Sequence, residues 1–134
     1  MSRIETREKV FEFIFQTQFR DDPYESYLML YRQMNPEVDE DKEYFLGTVS
    51  GILDNREDID NLFAKYLRKW TVDRIPKVDR VILEIAAYEI KYRDDIPTSV
   101  SINEAVKLAK KFGDEKASSY INGVLSSLEK SSEA

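Results

Sequence analysis

The chain has 134 residues, which is enough for one ordinary domain with its own core and too few for two. It contains no cysteine and no histidine, which excludes disulfides and thiolate metal sites and removes the commonest general base. With a net charge of −6, the chain can bind nucleic acid only through a local basic patch or a helper protein. No apolar run approaches the ~20 residues that cross a bilayer, and no apolar signal region begins the chain, so we expect a cytoplasmic protein.

The spacing of apolar residues is helical throughout the chain. Only four glycines and four prolines interrupt it, and no segment alternates with the period of two that is typical of a strand. We therefore predict an all-α fold of six or seven helices, arranged as two small packed bundles around one core. In this prediction residues 1–134 form a single domain, with a polar, frayed tail at residues 129–134.

The first half of the chain is predicted to form three helices. The first runs from about residue 3 to residue 19, and Ser2 and Glu5 have the spacing of a capping box at its start. The second helix ends before Pro36, because the residue before a proline avoids the α region. Asp39 is the predicted cap of the third helix.

The second half of the chain is predicted to form the remaining helices. The apolar face of the fourth extends as far as Trp70, and the fifth is apolar around so much of its girth that we place it at the centre. Ser101 and Glu104 have capping-box spacing at the start of the sixth helix, and Gly113 is predicted to be the left-handed residue that ends it. Gly123 in the seventh helix costs about 1 kcal/mol relative to alanine, which close backbone packing would offset.

Basic residues cluster at the start of the first predicted helix. Arg3 and Arg7 lie one turn apart on one face, where they could bind phosphates, and Lys9 follows them. Glu5 and Glu8 are interleaved with these cations, so a helix with internal charge pairs is the simpler interpretation. Cations at a helix start oppose the helix dipole at a small cost in stability, which phosphate binding would explain, so both interpretations stay open.

A second basic cluster occupies residues 107–116, at the end of the sixth predicted helix and in the turn after it. It is either the solvated face of an amphipathic helix or a phosphate-binding surface to which Lys116 belongs. Ser119 lies at the start of the last helix, where free N–H groups can bind a phosphate. Tyr120 beside it is either an exposed ring that stacks on an unpaired base or a core residue.

No pattern in the chain predicts catalysis. The carboxylates at residues 39–43 are explained by a solvated helix start, where acidic residues complement the helix dipole. Asp94 and Asp95 lack the flanking ligands of a calcium loop. We therefore predict that the protein is not an enzyme and that it binds no metal and no cofactor.

A polar interruption in the fifth predicted helix is a candidate partner site. Asp79 and Arg80 interrupt an apolar segment, as the polar rim of a partner site would. Tyr66 and Leu83 lie on consecutive predicted helices with them. The alternative interpretation is an exposed charge pair that contributes little to stability.

Five segments of the chain resemble one bacterial protein family when they are taken in order and at their spacings. They are VDRVIL at 78–83, AYEI at 87–90, SINEA at 101–105, AKKFG at 109–113 and YINGVL at 120–125. The chain resembles the NusB family of transcription antitermination factors. The resemblance runs from residue 7 to residue 125 and is strongest after Trp70.

Membership of this family would imply an all-helical fold of two small bundles and a function without catalysis. Proteins of the NusB family bind the boxA element of nascent bacterial RNA together with NusE, the small-subunit ribosomal protein that doubles as a transcription factor. The pair joins an antitermination complex on RNA polymerase, most often during the transcription of ribosomal RNA. The resemblance therefore predicts an RNA-binding antitermination factor with these two partners.

The resemblance also carries site residues over, position by position. With Ser119 added from the start of the last helix, the RNA-binding residues are Arg3, Arg7, Lys9, Phe15, Lys116, Ser119 and Tyr120. With Arg80 added from the polar interruption, the NusE-binding residues are Tyr66, Asp79, Arg80 and Leu83. Glu5 and Glu8 dilute the basic group, and Phe15 lacks the hydroxyl of a tyrosine. We therefore expect weak RNA binding by the protein alone and stronger binding with NusE. Lys116 stands where the family often has an acidic residue, which would repel phosphate, so this lysine should partly compensate for the loss of affinity.

Two alternatives accompany this prediction. A NusB-like domain also begins certain ribosomal RNA cytosine methyltransferases, but the chain has no glycine-rich cofactor loop and no cysteine nucleophile, so we do not expect a methyltransferase. The other alternative is a homodimer that covers the RNA-binding face, as some NusB proteins form. The sequence leaves the oligomeric state and the preferred RNA sequence open.

Overall fold

The computed structural model describes residues 1–133, which form seven α-helices, one 3-10 helix and no strand. In chain order they are α1 (Arg3–Thr17), α2 (Glu25–Met34), the 3-10 helix Pro36–Asp41, α3 (Lys42–Leu53), α4 (Arg56–Ala64), α5 (Lys77–Tyr92), α6 (Thr98–Phe112) and α7 (Ala117–Glu133). The all-α prediction is confirmed, although Asp39 lies within the 3-10 helix and does not cap α3. Across residues 1–133, no helix combines the length and the apolar character that a bilayer span requires.

α5 is the central helix, as its apolar girth predicts. It packs against α1 and α3 on one side and against α4, α6 and α7 on the other. Residues 81–87 are at most 2% exposed, so side chains all around this helix are buried. The helices thus form two small bundles, α1–α3 and α4–α7, which share one core through α5.

The capping box at the start of α1 is confirmed. The Ser2 hydroxyl accepts a hydrogen bond from the Glu5 backbone N–H at 3.1 Å. The Glu5 carboxylate in turn accepts one from the Ser2 backbone N–H at 3.2 Å. These two bonds satisfy N–H groups that the helix start would otherwise leave without partners. The helix ends at Thr17, slightly before its predicted end.

The predicted capping box of α6 is wrong. α6 already begins at Thr98, so Ser101 and Glu104 lie within the helix and not at its start. Ser101 is buried, and its hydroxyl donates to a carboxylate oxygen of Glu89 at 2.8 Å. Ser101 therefore links α6 to α5, because a buried hydroxyl needs a hydrogen-bond partner.

Gly113 ends α6 for a different reason from the predicted one. Its φ of −94° and ψ of 179° are extended, so the prediction of a left-handed residue is wrong. A Cβ at this position would lie 2.6 Å from the Cβ of Ala117 and 2.9 Å from the carbonyl oxygen of Ala109. Glycine is required because the backbone of α6 approaches the start of α7 closely at this turn.

The fourth helix ends at Ala64, well before Trp70. Lys69 has a φ of 70°, in the left-handed region that interrupts a helix, and is the one non-glycine residue of this kind in the described chain. Leu67 and Ile75 are buried and anchor the irregular backbone on either side of Trp70. We call residues 65–77 the α4–α5 segment.

Gly123 in α7 is a place where a substitution should stabilise the fold. Gly123→Ala should raise the free energy of unfolding by about 1 kcal/mol, because alanine favours a helix more than glycine does. A Cβ added at Gly123 would meet no atom of the described chain within 4 Å, so the close packing expected from the sequence is wrong. Urea unfolding would measure the gain. The matched control is Gly113→Ala, which should be destabilising, and a loss of stability in Gly123→Ala itself would contradict the prediction.

α7 continues to Glu133, where the sequence predicts fraying from residue 129. The Tyr66 hydroxyl donates to the Ser131 hydroxyl oxygen at 2.5 Å, and the Ser131 hydroxyl donates to the carbonyl oxygen of Leu128 at 3.0 Å. The first of these bonds ties the end of α7 to the α4–α5 segment. Ala134, the last residue of the predicted tail, lies outside the described residues.

Candidate nucleic-acid interface

Tyr120, near the start of α7, lies between two surface pockets. The first, of about 340 Å³, is called here the Arg68 pocket and is lined by Tyr66, Arg68, Ser119, Tyr120, Gly123 and Val124. The second, of about 240 Å³, is called the Asp79 pocket and is lined by Trp70, Pro76, Asp79, Asp114, Lys116, Ala117 and Tyr120. The fold thus brings five predicted site residues together, which are Tyr66, Asp79, Lys116, Ser119 and Tyr120.

The Tyr120 ring is half-buried, packing against the core while it borders both pockets. Its hydroxyl is enclosed and has no hydrogen-bond partner within residues 1–133. Burial and, secondarily, the negative charge of Asp79 raise the pKa of Tyr120, so the hydroxyl stays protonated. The ring therefore combines core packing with an accessible edge, the two alternatives that the sequence left open.

Asp79 contributes a buried carboxylate to the second of these pockets. It is only 6% exposed, and no hydrogen bond or ion pair reaches it from the part of the chain that the structure describes. Burial and the nearby charge of Asp114 raise the pKa of Asp79 to about 6. A buried charge without a partner is unfavourable, so a cation or an N–H donor from a binding partner would stabilise this pocket.

Lys116 and Ser119 supply an exposed cation and an exposed hydroxyl beside Tyr120. The backbone N–H of Lys116 donates to the Asp114 carboxylate at 2.9 Å, whereas its side chain forms no ion pair with any other described residue. Because Asp114 already occupies the turn before α7, a phosphate would meet the side chains of Lys116 and Ser119 and not the bare end of the helix.

Arg7 belongs to the core and not to the RNA-binding surface, which corrects the prediction for this residue. It is 4% exposed, and its guanidinium donates to both carboxylate oxygens of Glu89 at 2.8 and 3.0 Å. The hydroxyls of Tyr44 and Ser101 donate to the same carboxylate. Arg7 cannot reach a phosphate in this fold, because its guanidinium is buried and forms an ion pair with Glu89 on α5.

The two other cations at the start of α1 also have internal partners. Arg3 donates to the Asp41 carboxylate at 2.7 and 3.2 Å, and its guanidinium lies over the Tyr44 ring at 4.2 Å. The Lys9 ammonium donates to the Asn35 side-chain oxygen at 2.9 Å and lies 3.7 Å from Glu37. Neither cation borders the pockets beside Tyr120. The cations at this helix start are thus paired with groups on other elements, and not with Glu5 or Glu8 of the same helix as the interpretation of internal charge pairs expects.

Phe15 lies in a third depression, separate from the pockets beside Tyr120. This groove, of about 400 Å³, is also lined by Val78 and Phe112. The Phe15 and Phe112 rings both stack on Phe11, with centroids 5.7 and 4.7 Å away. Val78, which lines this groove, directly precedes Asp79 in α5, so consecutive residues of one helix border the groove and the Asp79 pocket.

Two of the four predicted NusE contacts lie apart from the pockets beside Tyr120. Leu83 is fully buried, so it cannot touch a partner. The Arg80 guanidinium donates to Asp60 at 2.7 Å, lies 3.5 Å from Glu84 and borders a different pocket from that of Asp79. Consecutive residues of a helix point about 100° apart, which is why Asp79 and Arg80 do not share a face.

Arg68, Trp70 and Asp114 border these pockets, although none of the three is among the predicted site residues. Trp70 is 51% exposed, whereas the sequence places it on the buried face of a longer fourth helix. The run KYLRKW at residues 65–70 combines three cations with two aromatic residues, a combination typical of single-strand binding. This is the sequence signal that points to the segment.

Comparisons with known proteins identify the family of the chain. The model of the NusB family matches residues 4–130. The transcription antitermination protein NusB of Bacillus subtilis is 41% identical over 130 residues, covering 96% of this chain and 95% of the relative. The protein of the same name from Geobacillus kaustophilus is 46% identical over 127 residues, covering 94% of each chain.

Solved structures agree with these sequence relationships. NusB of T. maritima superposes with a TM-score of 0.86 at 34% identity, covering 97% of this chain and 92% of the other. A chain from the crystal structure of NusB and NusE with double-stranded RNA has a TM-score of 0.77 at 24% identity, covering 98% and 99%, and shows a shared fold. The chain belongs to the NusB family.

Proposed function

We propose that the protein is a transcription antitermination factor that binds boxA-type single-stranded RNA together with NusE. In this proposal the pair joins the antitermination complex on RNA polymerase in the cytoplasm and supports transcription of ribosomal RNA. The protein acts by binding, without catalysing a reaction. Membership of the NusB family supports this function, and relatives at about 40% identity over nearly the full chain bear the name of antitermination proteins.

The observation that carries the proposal is the position of Tyr120 between two chemically different pockets. The Arg68 pocket offers a guanidinium and a hydroxyl, which suit phosphate oxygens. The accessible part of the Tyr120 ring can stack on an unpaired base, an interaction that contributes about 1–3 kcal/mol per base. Lys116 can add a further phosphate contact at the edge of the site.

The Asp79 pocket suits the protein partner. No cation of the described residues forms an ion pair with its buried carboxylate, so a basic side chain of NusE would supply the missing partner. Because Tyr120 borders both pockets, NusE bound at Asp79 would lie next to the RNA. Neutralising Asp79 would also remove a negative charge that repels phosphates, which explains why RNA should bind more tightly when NusE is present.

Substitution of Tyr120 tests this assignment. Tyr120→Ala should weaken binding of a boxA oligonucleotide in the presence of NusE by about tenfold, because a stacking ring is lost. Tyr120→Phe is the matched control and should retain affinity, since the hydroxyl has no partner within residues 1–133 and the ring is preserved. Fluorescence anisotropy with labelled RNA, with and without NusE, would measure both.

Three outcomes would count against this function or site. Equal affinity of Tyr120→Ala and the parent protein would remove Tyr120 from the interface. No RNA binding by the parent protein, with or without NusE, would reject the proposed function. A dimer whose size is independent of concentration, measured by sedimentation alongside absent RNA binding, would favour the alternative of a homodimer with its RNA-binding face covered.

A further inference from the structure

The α4–α5 segment is strongly basic in an otherwise acidic protein. Residues 65–77 contain five cations and one carboxylate, Asp73, so their net charge is +4, whereas the net charge of the whole chain is −6. The five cations of the segment are all exposed, and they are Lys65, Arg68, Lys69, Arg74 and Lys77. Such a local reversal of charge is the feature that an acidic protein needs in order to hold a phosphate backbone.

None of these five cations forms an ion pair within residues 1–133, a property that they share with exposed lysines elsewhere, such as Lys42 and Lys91. The arginines set the segment apart. The chain has nine arginines, and seven of them form ion pairs with described carboxylates. The two that do not are Arg68 and Arg74, and both lie in this segment. Carboxylates are not scarce, since the chain has 26 against 20 cations, yet the fold leaves both arginines of this segment without an ion pair among the described residues.

The segment adjoins the interface beside Tyr120. Arg68 borders the same pocket as Ser119 and Tyr120, and Trp70 borders the same pocket as Lys116. Its single carboxylate, Asp73, borders another pocket together with Arg80. Buried Leu67 and Ile75 fix the segment to the core, so its exposed cations are held in place next to the site.

We infer that the α4–α5 segment is an additional binding strip for the sugar–phosphate backbone of single-stranded RNA, continuous with the Tyr120 site. This inference rests on the proposed function. Arg68 can hold a phosphate with its planar guanidinium fork, and the neighbouring lysines add point charges. Trp70, 51% exposed between these cations, offers a ring on which a further base can stack. Exposed cations beside an exposed ring suit the phosphates and bases of RNA better than they suit a protein surface.

The double variant Arg68→Gln/Lys69→Asn tests the inference. Asparagine is chosen at position 69 because it tolerates the left-handed φ of Lys69. With NusE present, affinity for a boxA oligonucleotide at physiological salt should fall about tenfold. The slope of log affinity against log salt should become shallower by about 1.4, because each phosphate contact on a single strand contributes about 0.7.

The matched control is the double variant Lys42→Gln/Lys91→Gln. Both lysines are exposed, lie outside the segment and form no ion pair with another residue of the described chain, so the change in net charge is the same. The control should bind RNA like the parent protein. Thermal melting followed by circular dichroism would verify that both double variants remain folded.

The possible failures are distinguishable. Unchanged RNA affinity in Arg68→Gln/Lys69→Asn would overturn the inference while the proposed function stands. An equal loss in the control variant would also overturn it, since the effect would then come from net charge alone. Weaker binding of NusE in the absence of RNA would assign the strip to the protein partner and reject the RNA assignment. No RNA binding by the parent protein would overturn both the proposed function and the inference.

Discussion

Replacing Arg7 with methionine should lower the free energy of unfolding by about 3–5 kcal/mol, because the carboxylate of Glu89 would remain buried without its counter-charge. Glu89 is 1% exposed and accepts both hydrogen bonds from the Arg7 guanidinium, at 2.8 and 3.0 Å. The hydroxyls of Tyr44 and Ser101 alone cannot neutralise a buried carboxylate. Urea unfolding at neutral pH would measure the loss.

Two further variants separate this effect from a general loss of charge. Arg7→Met/Glu89→Gln should recover part of the stability, because the buried charge is removed together with its partner. Arg3→Gln should cost less than about 1 kcal/mol, since the pair of Arg3 with Asp41 is partly exposed. Unchanged stability in Arg7→Met, together with weaker RNA binding, would restore Arg7 to the RNA-binding surface and contradict the structure.

Asp79→Asn should raise the free energy of unfolding by about 3 kcal/mol at neutral pH, because a pKa raised by about two units corresponds to a free energy of that size. The pKa of Asp79 is raised to about 6 in the fold, whereas an aspartate in the unfolded chain has a pKa near 4. As the pH rises from about 4 to about 6, the unfolded chain loses this proton before the folded protein does. The contribution of Asp79 therefore lowers stability over this window and stays unfavourable above it.

Urea unfolding of Asp79→Asn and the parent protein at pH values near 4 and near 7 would test this sign. The gain should be present at neutral pH and should disappear at the acidic end, where the carboxyl is protonated in both states. Glu115→Gln, at an exposed position next to Asp114 in the chain, should change stability little at either pH. A less stable Asp79→Asn at neutral pH would show that the carboxylate has a stabilising partner.

The same variant links stability to function. Under the proposed function, Asp79→Asn should bind NusE more weakly, although the free protein is more stable. A buried carboxylate that destabilises the free protein and is neutralised in the complex is a common compromise at binding sites. If Asp79→Asn retains its affinity for NusE, Asp79 affects the stability of the fold but does not take part in NusE binding.

The helices and their arrangement could be predicted from the sequence because they depend on local spacing. Apolar residues three and four apart define helix faces, and the Ser2–Glu5 capping box acts within one turn. The near-continuous apolar girth of the fifth helix was enough to place α5 at the centre. In the candidate site, the family motifs selected Tyr120, Asp79 and Lys116, which the structure brings to adjoining pockets.

Only the tertiary structure decided what the polar residues do. Ser101 has the spacing of a cap, yet its hydroxyl donates to Glu89 on α5. Arg7 resembles a phosphate ligand, yet its partner is the same Glu89, 82 residues away in the chain. Gly113 ends α6 because of a close approach to Ala117, which no local rule contains.

The ion pairing of the cations shows most clearly what the sequence determined and what only the tertiary structure decided. The sequence alone determined a helical fold, a family and the residue types at the interface. Within residues 1–133, Arg3 has an ion-pair partner and Arg68 has none, and this difference depended on which carboxylates the fold brings within about 4 Å. Local sequence sets the conformation of a segment, but the partner of a charge is set by chain segments that meet only after folding.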